Sequence, residues 1–115
     1  MGYRSEVLLA LKPDAQAVLS TIVARGGPIV DMISEDTSEI DKDFDDEGSI
    51  IYRWDGIKWY DSYACVAAIE ELISRLESED MDESYRFVRI GEDTDDNEVR
   101  GWGFEIGISR SIDFW

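Results

Sequence analysis

"SIIYRWDGIKWY", residues 49–60, is the stretch on which the fold turns. Two runs rich in β-branched and aromatic residues flank Asp55-Gly56, the dipeptide that suits a type I′ turn. The segment therefore reads as a β-hairpin. Its aromatics, Tyr52, Trp54, Trp59 and Tyr60, read as cross-strand pairs packed beneath helices, with a binding platform as the alternative.

Working outward, "YRSEVLLALK" (3–12) is a strand that becomes apolar on both sides at Val7–Leu11, as a central strand does. Lys12-Pro13 ends it, and Asp14 is placed as the N-cap of a helix. Ala15, Val18, Leu19, Ile22 and Val23 recur at helical spacing until Gly26-Gly27-Pro28 stops the pattern. Residues 29–48 have no strong period. They read as a long acidic loop, with "PIVDMI" (28–33) adding a short strand. After the hairpin, Asp61 or Ser62 caps a second helix with Val66, Ile69, Leu72, Ile73 and Leu76 on one stripe. Glu70, Glu71, Ser74 and Arg75 fall on its outer face. "SYRFVRI" (84–90) is a strand. "GWGFEIGIS" (101–109) alternates so that Trp102, Phe104, Ile106 and Ile108 point one way.

The resulting order, β-α-β-β-α-β(-β), predicts one α+β domain over residues 1–115. Two helices lie on one face of a four- to five-stranded, mainly antiparallel sheet in ferredoxin-like order, with the first and fourth strands central. Val7, Leu9, Leu11, Val18, Ile22, Val66, Ile69, Ile73, Phe87 and Phe104 form the expected core. Trp115 is read as covering a sheet edge or joining a partner surface.

Composition narrows the chemistry. The 115 residues carry 27 acids against 11 bases, a net charge of −16, which opposes direct binding to nucleic acid or anionic lipid. Cys65 is the single cysteine and lies in an apolar helical stretch. It reads as a structural thiol, and no internal disulfide or cysteine-rich zinc site is available. Histidine is absent, so the usual general base and the commonest metal ligand are missing. Glu70 and Glu71 diverge on their helix and make a poor acid/base pair, and "GWGFEIG" lacks a following helix to present a phosphate site. No run approaches the roughly 20 apolar residues of a membrane span. The start lacks a signal peptide's basic region, and Glu6 stands where a myristoylation motif wants Ser or Thr. The expected location is the cytoplasm, and no cofactor is expected.

The acids are clustered. Nine fall in 31–47, five in 77–83 and five in 92–98, with only Lys42 to offset the first group. Read from Asp43, "DFDDEGSI" matches much of an EF-hand loop, with acids at the first, third and fifth positions and Gly48 at the sixth. The twelfth position, which needs a bidentate glutamate, is Trp54. "DTDDN" (93–97) offers a second ladder with Glu98 in place of the glycine. A divalent-cation module using these loops is thus one alternative, and a small enzyme another. The leading expectation is a non-enzymatic interaction protein. Uncompensated like charge destabilises a compact chain, and carboxylates on loops can approximate phosphate spacing for a basic surface. The expected partner-binding residues are Asp41, Asp43, Asp45, Asp46, Glu47, Glu92, Asp93, Asp95, Asp96 and Glu98, and the expected partner is a basic, nucleic-acid-binding protein.

"MGYRSEV" (1–7), "WDGIKWYDSY" (54–63) and "YRFVRIGEDTDD" (85–96) together resemble small acidic accessory proteins of bacteriophages and prophages. The resemblance implies a phage–host setting in a bacterial cytoplasm. It also implies that the basic partner is a host protein of restriction, CRISPR defence or DNA repair, inhibited through a DNA-mimicking surface. It brings no catalytic residues with it.

Overall fold

The computed structural model describes residues 4–34, 37, 39–42, 47–60, 62–92, 96–104, 106–108 and 112–114, the last strand and residues 107–108 by their backbone. Strand β1 (Ser5–Leu11) leads into helix α1 (Pro13–Val23) and the short helix α2 (Pro28–Met32). Strands β2 (Glu39–Asp41) and β3 (Ile50–Ile57) precede helix α3 (Ala64–Ser78). A 3₁₀ turn at Asp82–Ser84 opens β4 (Tyr85–Ile90), followed by β5 (Asn97–Arg100), β6 (Ile106–Ile108) and β7 (Ile112–Phe114). The main sheet runs β2-β3-β1-β4-β5 with every pairing antiparallel.

The α+β class follows as expected. The first four strands take the order β4-β1-β3-β2 of a split β-α-β sandwich, and β5 is added outside β4. Among the described residues, three helices cover one face rather than two. Their buried residues, including Leu19, Ile29, Val66, Ile69 and Ile73, pack on Val7, Leu9, Leu11, Tyr52, Trp54 and Phe87. The opposite face has its own smaller core of Leu8, Ala10, Ile51 and Val88, closed by Ile106 of β6. This two-sided burial is why β1 is apolar on both sides. Of the expected core, Val18 and Phe104 are only partly buried and the other eight residues are buried.

Four local readings are corrected. Asp55-Gly56 does not turn the chain, because β3 runs through it. The β1 register passes from Ser5↔Ile57 to Val7↔Trp54, so β3 carries one extra residue there, with Gly56 at φ 65°. A bulge with glycine in the left-handed region and a type I′ turn both use a positive φ, and Asp-Gly suits either. Trp59 then lies beyond the strand and completes an aromatic row. Ring centroids are 6.2 Å apart for Tyr52–Trp54, 6.1 Å for Trp54–Trp59 and 5.7 Å for Trp59–Phe87.

Of the residues 28–33 read as a strand, Pro28–Met32 form α2 instead. Ile29 and Met32 are buried three apart while Val30 and Asp31 face out, and Pro28 occupies the first turn. The segment read as a long loop thus holds a helix and the edge strand β2. Its acids at 43, 45 and 46 lie outside the described residues, as does Trp115.

The helix caps differ too. Lys12 and Tyr63 hold the N-cap positions, neither with a side-chain cap. Asp14 sits inside the first turn, where its Oδ1 accepts from the Ala15 N–H at 2.9 Å and its Oδ2 from the Ser84 hydroxyl at 2.6 Å. Its charge still meets the positive end of the helix.

The C-terminal strand is the largest departure. Residues 101–104 are not a strand, and Trp102 is 69% exposed instead of sharing a face with Ile106. The chain leaves β5, turns at Gly101–Gly103 and folds β6–β7 back onto the sheet's second face. Arg86 holds this return, donating from Nε to the Ile106 carbonyl at 2.9 Å and from Nη1 to the Gly101 carbonyl at 2.6 Å. The glycines are required by contact. A Cβ on Gly101 would stand 2.4 Å from the Tyr85 carbonyl oxygen, and φ there is 76°. Gly101→Ala is therefore expected to cost about 2–3 kcal/mol in chemical denaturation, through overpacking and a left-handed backbone.

Candidate functional site

Two charged regions emerge, and they are built differently. The first is an ion-pair cleft of about 750 Å³ between α3 and the β4–β5 hairpin, lined by Trp59, Tyr60, Ala67, Glu70, Arg89, Asp96 and Glu98. Antiparallel pairing puts Arg89 opposite Glu98. Arg89 grips Asp96 with both Nη atoms, at 2.8 and 3.3 Å, approaches Glu98 through Nε at 3.5 Å, and reaches the Ser5 hydroxyl at 3.3 Å. On the same face Arg100 binds Glu70 at 2.6 Å and Glu77 at 2.7 Å, and lies 3.8 Å from Glu98. Glu70 and Glu77 are seven residues apart on α3 and so share a face, which ties the helix to the sheet edge. Glu70 is thus partly covered by Arg100 rather than purely outward-facing. Glu71 turns away to Arg25, as the divergence of the pair predicts.

Half-buried arginines paired this way stay charged. The hydrogen bond to Asp96 raises the Arg89 pKa most, and those to Glu77 and Glu70 raise that of Arg100 against its desolvation. The Tyr85 hydroxyl donates to Glu77 at 3.2 Å. Desolvation first, then the Glu77 charge, raises its pKa, and burial raises that of Tyr52. Raised tyrosine pKa values favour the neutral form in the folded state. Their stabilisation is complete below the unfolded pKa of about 10 and is lost as pH climbs through the folded values. Stability is expected to fall above about pH 10, and Tyr85→Phe should shallow that decline in a pH series of denaturant midpoints.

The second region is the end of the sheet where β1 and β3 meet α1. Gln16 Nε2 donates to the Gly48 carbonyl at 2.8 Å, and the Lys12 N–H to the Ser84 carbonyl at 2.9 Å. The Trp102 N–H donates to the Asp82 carbonyl at 2.8 Å. These bonds gather Glu47, Glu79, Asp80, Asp82 and Glu83 at one end, beside Asp14 and the exposed Trp102. Among the described residues no salt bridge reaches the acids at 79–83.

The expected partner residues are therefore divided. Asp41 is on edge strand β2, and Glu47 stands at the Ile50 end of β3. Asp96 precedes β5 at the opposite end, where Gly91 N–H donates to its carbonyl at 2.7 Å. Strand spacing and rise put these corners roughly 25 Å apart across the sheet. Glu92 is exposed and accepts from the Arg4 N–H at 3.0 Å. Asp43, Asp45, Asp46, Asp93 and Asp95 lie outside the described residues. Asp96 and Glu98 belong to the cleft, where arginines from outside the 92–98 window meet them. The acids at 79–83 and Trp102 are not among the residues that the sequence assigns to a partner. The sequence signal for them was the 77–83 cluster itself, next to the strand "SYRFVRI".

For the calcium alternative, the twelfth loop position, Trp54, is a core residue whose Nε1 donates to the Met32 carbonyl at 2.8 Å. Among the described residues no group of three carboxylate, histidine or cysteine side chains is placed to hold a metal, and no helix is long and apolar enough to cross a membrane. Cys65 is partly buried against the helix-side core. No protein family, curated protein or solved structure matches this chain.

Proposed function

We propose that this chain is a non-enzymatic interaction protein that presents carboxylates to a basic, nucleic-acid-binding partner. The observation that carries the reading is where the positive charge goes. Arg53, Arg86, Arg89 and Arg100 are held by carboxylates or carbonyls and are at most partly exposed, while Glu47, Glu79, Asp80 and Glu83 stand exposed at one end. Clustered carboxylates offer arginine forks acceptors as phosphates do. Trp102 beside them is the kind of residue that anchors an interface. The resemblance to phage accessory proteins supports a more specific form: an inhibitor of a host restriction, CRISPR or repair protein, acting in the bacterial cytoplasm as a DNA mimic.

The partner surface centres on Asp41 and Glu47, joined by the acids at 79–83; Asp43, Asp45 and Asp46 lie between the first two in the sequence. Glu92 lies toward the other corner. Asp96 and Glu98 are engaged by Arg89, so these two are not interchangeable with the rest.

The test is capture from host lysate by the wild type and by a variant with Glu79, Asp80, Asp82 and Glu83 changed to amides. A protein held by the wild type, released by duplex DNA and lost in the variant supports the reading. Retention by the variant in excess duplex DNA contradicts it.

A further inference from the structure

We infer that the outer edge of β5 pairs antiparallel with β5 of a second copy of this chain, centred on Val99, to give a two-fold dimer with one continuous sheet. The inference goes beyond the acidic-end reading and uses none of its residues.

The phase of the hydrogen-bond ladder comes first. The Lys12 N–H donates to the Ser84 carbonyl at 2.9 Å, in register with the β1–β4 pairs. Alternate residues of β4 counted from Ser84, Val88 among them, therefore point their backbone groups at β1. The Gly91 N–H donates to the Asp96 carbonyl at 2.7 Å, in register with the β4–β5 pairs, so Phe87 and Arg89 point theirs at β5. Val88 and Val99 are thus a non-hydrogen-bonded pair. The Val99 N–H and C=O face away from β4, where no further strand lies among the described residues. Its side chain is 43% exposed.

An edge with an outward N–H and C=O is a template for another strand, and the side chains select which. Pairing Val99 with Val99 of the second copy exchanges both backbone bonds across the two-fold axis. It also sets Glu98 opposite Arg100 of the second copy, twice. These are non-hydrogen-bonded positions, where opposing side chains come closest and opposite charges stabilise the pair. Within its own chain Glu98 stands 3.5 Å from Arg89 and 3.8 Å from Arg100, both longer than a strong charge-assisted bond. On the other face of the sheet, the two valines meet as a β-branched pair.

The opposite edge of the sheet is built against the same event. Pairing β2 with itself about Ile40 would set Glu39 opposite Asp41 in both places, like charge against like. The net charge of −16 on each copy also opposes association, so the dimer is a weak one that salt assists.

The test combines sedimentation with NMR amide exchange, on the full chain up to about 1 mM, a concentration that reveals weak dimers. Both are run at 0.1 M and 1 M salt, where the Debye length is about 10 Å and about 3 Å. The Val99 amide should exchange fast in dilute solution and slow as concentration rises, while the Glu98 and Arg100 amides, bonded to β4, stay slower throughout. Val99→Pro removes an N–H that the chain's own sheet does not use, and an edge strand tolerates proline there. It should dimerise about tenfold more weakly, the loss of two backbone bonds. Glu98→Gln eases the general repulsion by one charge per copy, yet should also weaken the dimer. A wild type monomeric throughout, a dimer indifferent to Val99→Pro or strengthened by Glu98→Gln, or a Val99 amide slow at every dilution would each overturn the inference. So would a Val99 amide that slows only when the captured basic protein is added, which would make this edge a seat for that protein's strand.

Discussion

Trp54→Ala is expected to cost about 3–5 kcal/mol, a third or more of the stability of an ordinary small domain. Trp54 is 1% exposed and sits in the row between Tyr52 and Trp59. Truncation removes the largest fully buried side chain and leaves its neighbours facing a cavity. It also strands the Met32 carbonyl, one of the end carbonyls of α2, which the indole satisfies at 2.8 Å. Trp54→Phe separates the two effects. It keeps most of the packing and removes the donor, for about 1–3 kcal/mol. Denaturant midpoints at unchanged slope measure both variants. An alanine variant within about 1 kcal/mol of wild type would mean that position 54 is not a core site.

Ile69→Ala is expected to cost about 2–5 kcal/mol. Ile69 is fully buried on the inward stripe of α3, in the core that joins this helix to β1, β3 and β4. No polar group is lost with it, so the measured cost reports cavity and transfer alone. Glu71→Ala, two residues on, is the control. Its pair with Arg25 is about half exposed on both sides, and the change should stay within about 0.5 kcal/mol. Similar losses at 69 and 71 would contradict the facing of α3.

The elements that the sequence made legible are those with burial on a regular period. β1 announces itself by apolar residues on both faces, and α1 and α3 by helical stripes. β2 carries no such mark, because Glu-Ile-Asp at a sheet edge leaves Ile40 37% exposed and gives no alternation to read. Asp55-Gly56 signals a positive φ without saying whether the chain reverses or bulges. The β6–β7 return depends on Arg86 reaching carbonyls 15 and 20 residues away, and local pattern does not encode that.

The charged regions divide along the same line. Clusters of acids are visible in sequence, but their neutralisation is not. Residues 92–98 look uncompensated because Arg89 and Arg100 flank the window, and strand pairing alone brings them onto Asp96 and Glu98. Changing positions 93, 95, 96 and 98 to amides would therefore unpair Arg89 as well as relieve repulsion, and a net loss of stability is expected.

A partner surface at the acidic end beside Trp102, as proposed, and a merely solvated face differ in their response to salt. The most direct measurement is the affinity of the captured partner at 0.1 M and 1 M salt, for wild type and for the 79–83 amide variant. Across that range the Debye length falls from about 10 Å to about 3 Å. Wild-type binding should weaken steeply, chiefly through slower association. The variant should bind at least about tenfold more weakly at low salt, with a flatter salt dependence. Equal affinities and equal salt dependence for the two proteins would contradict the account.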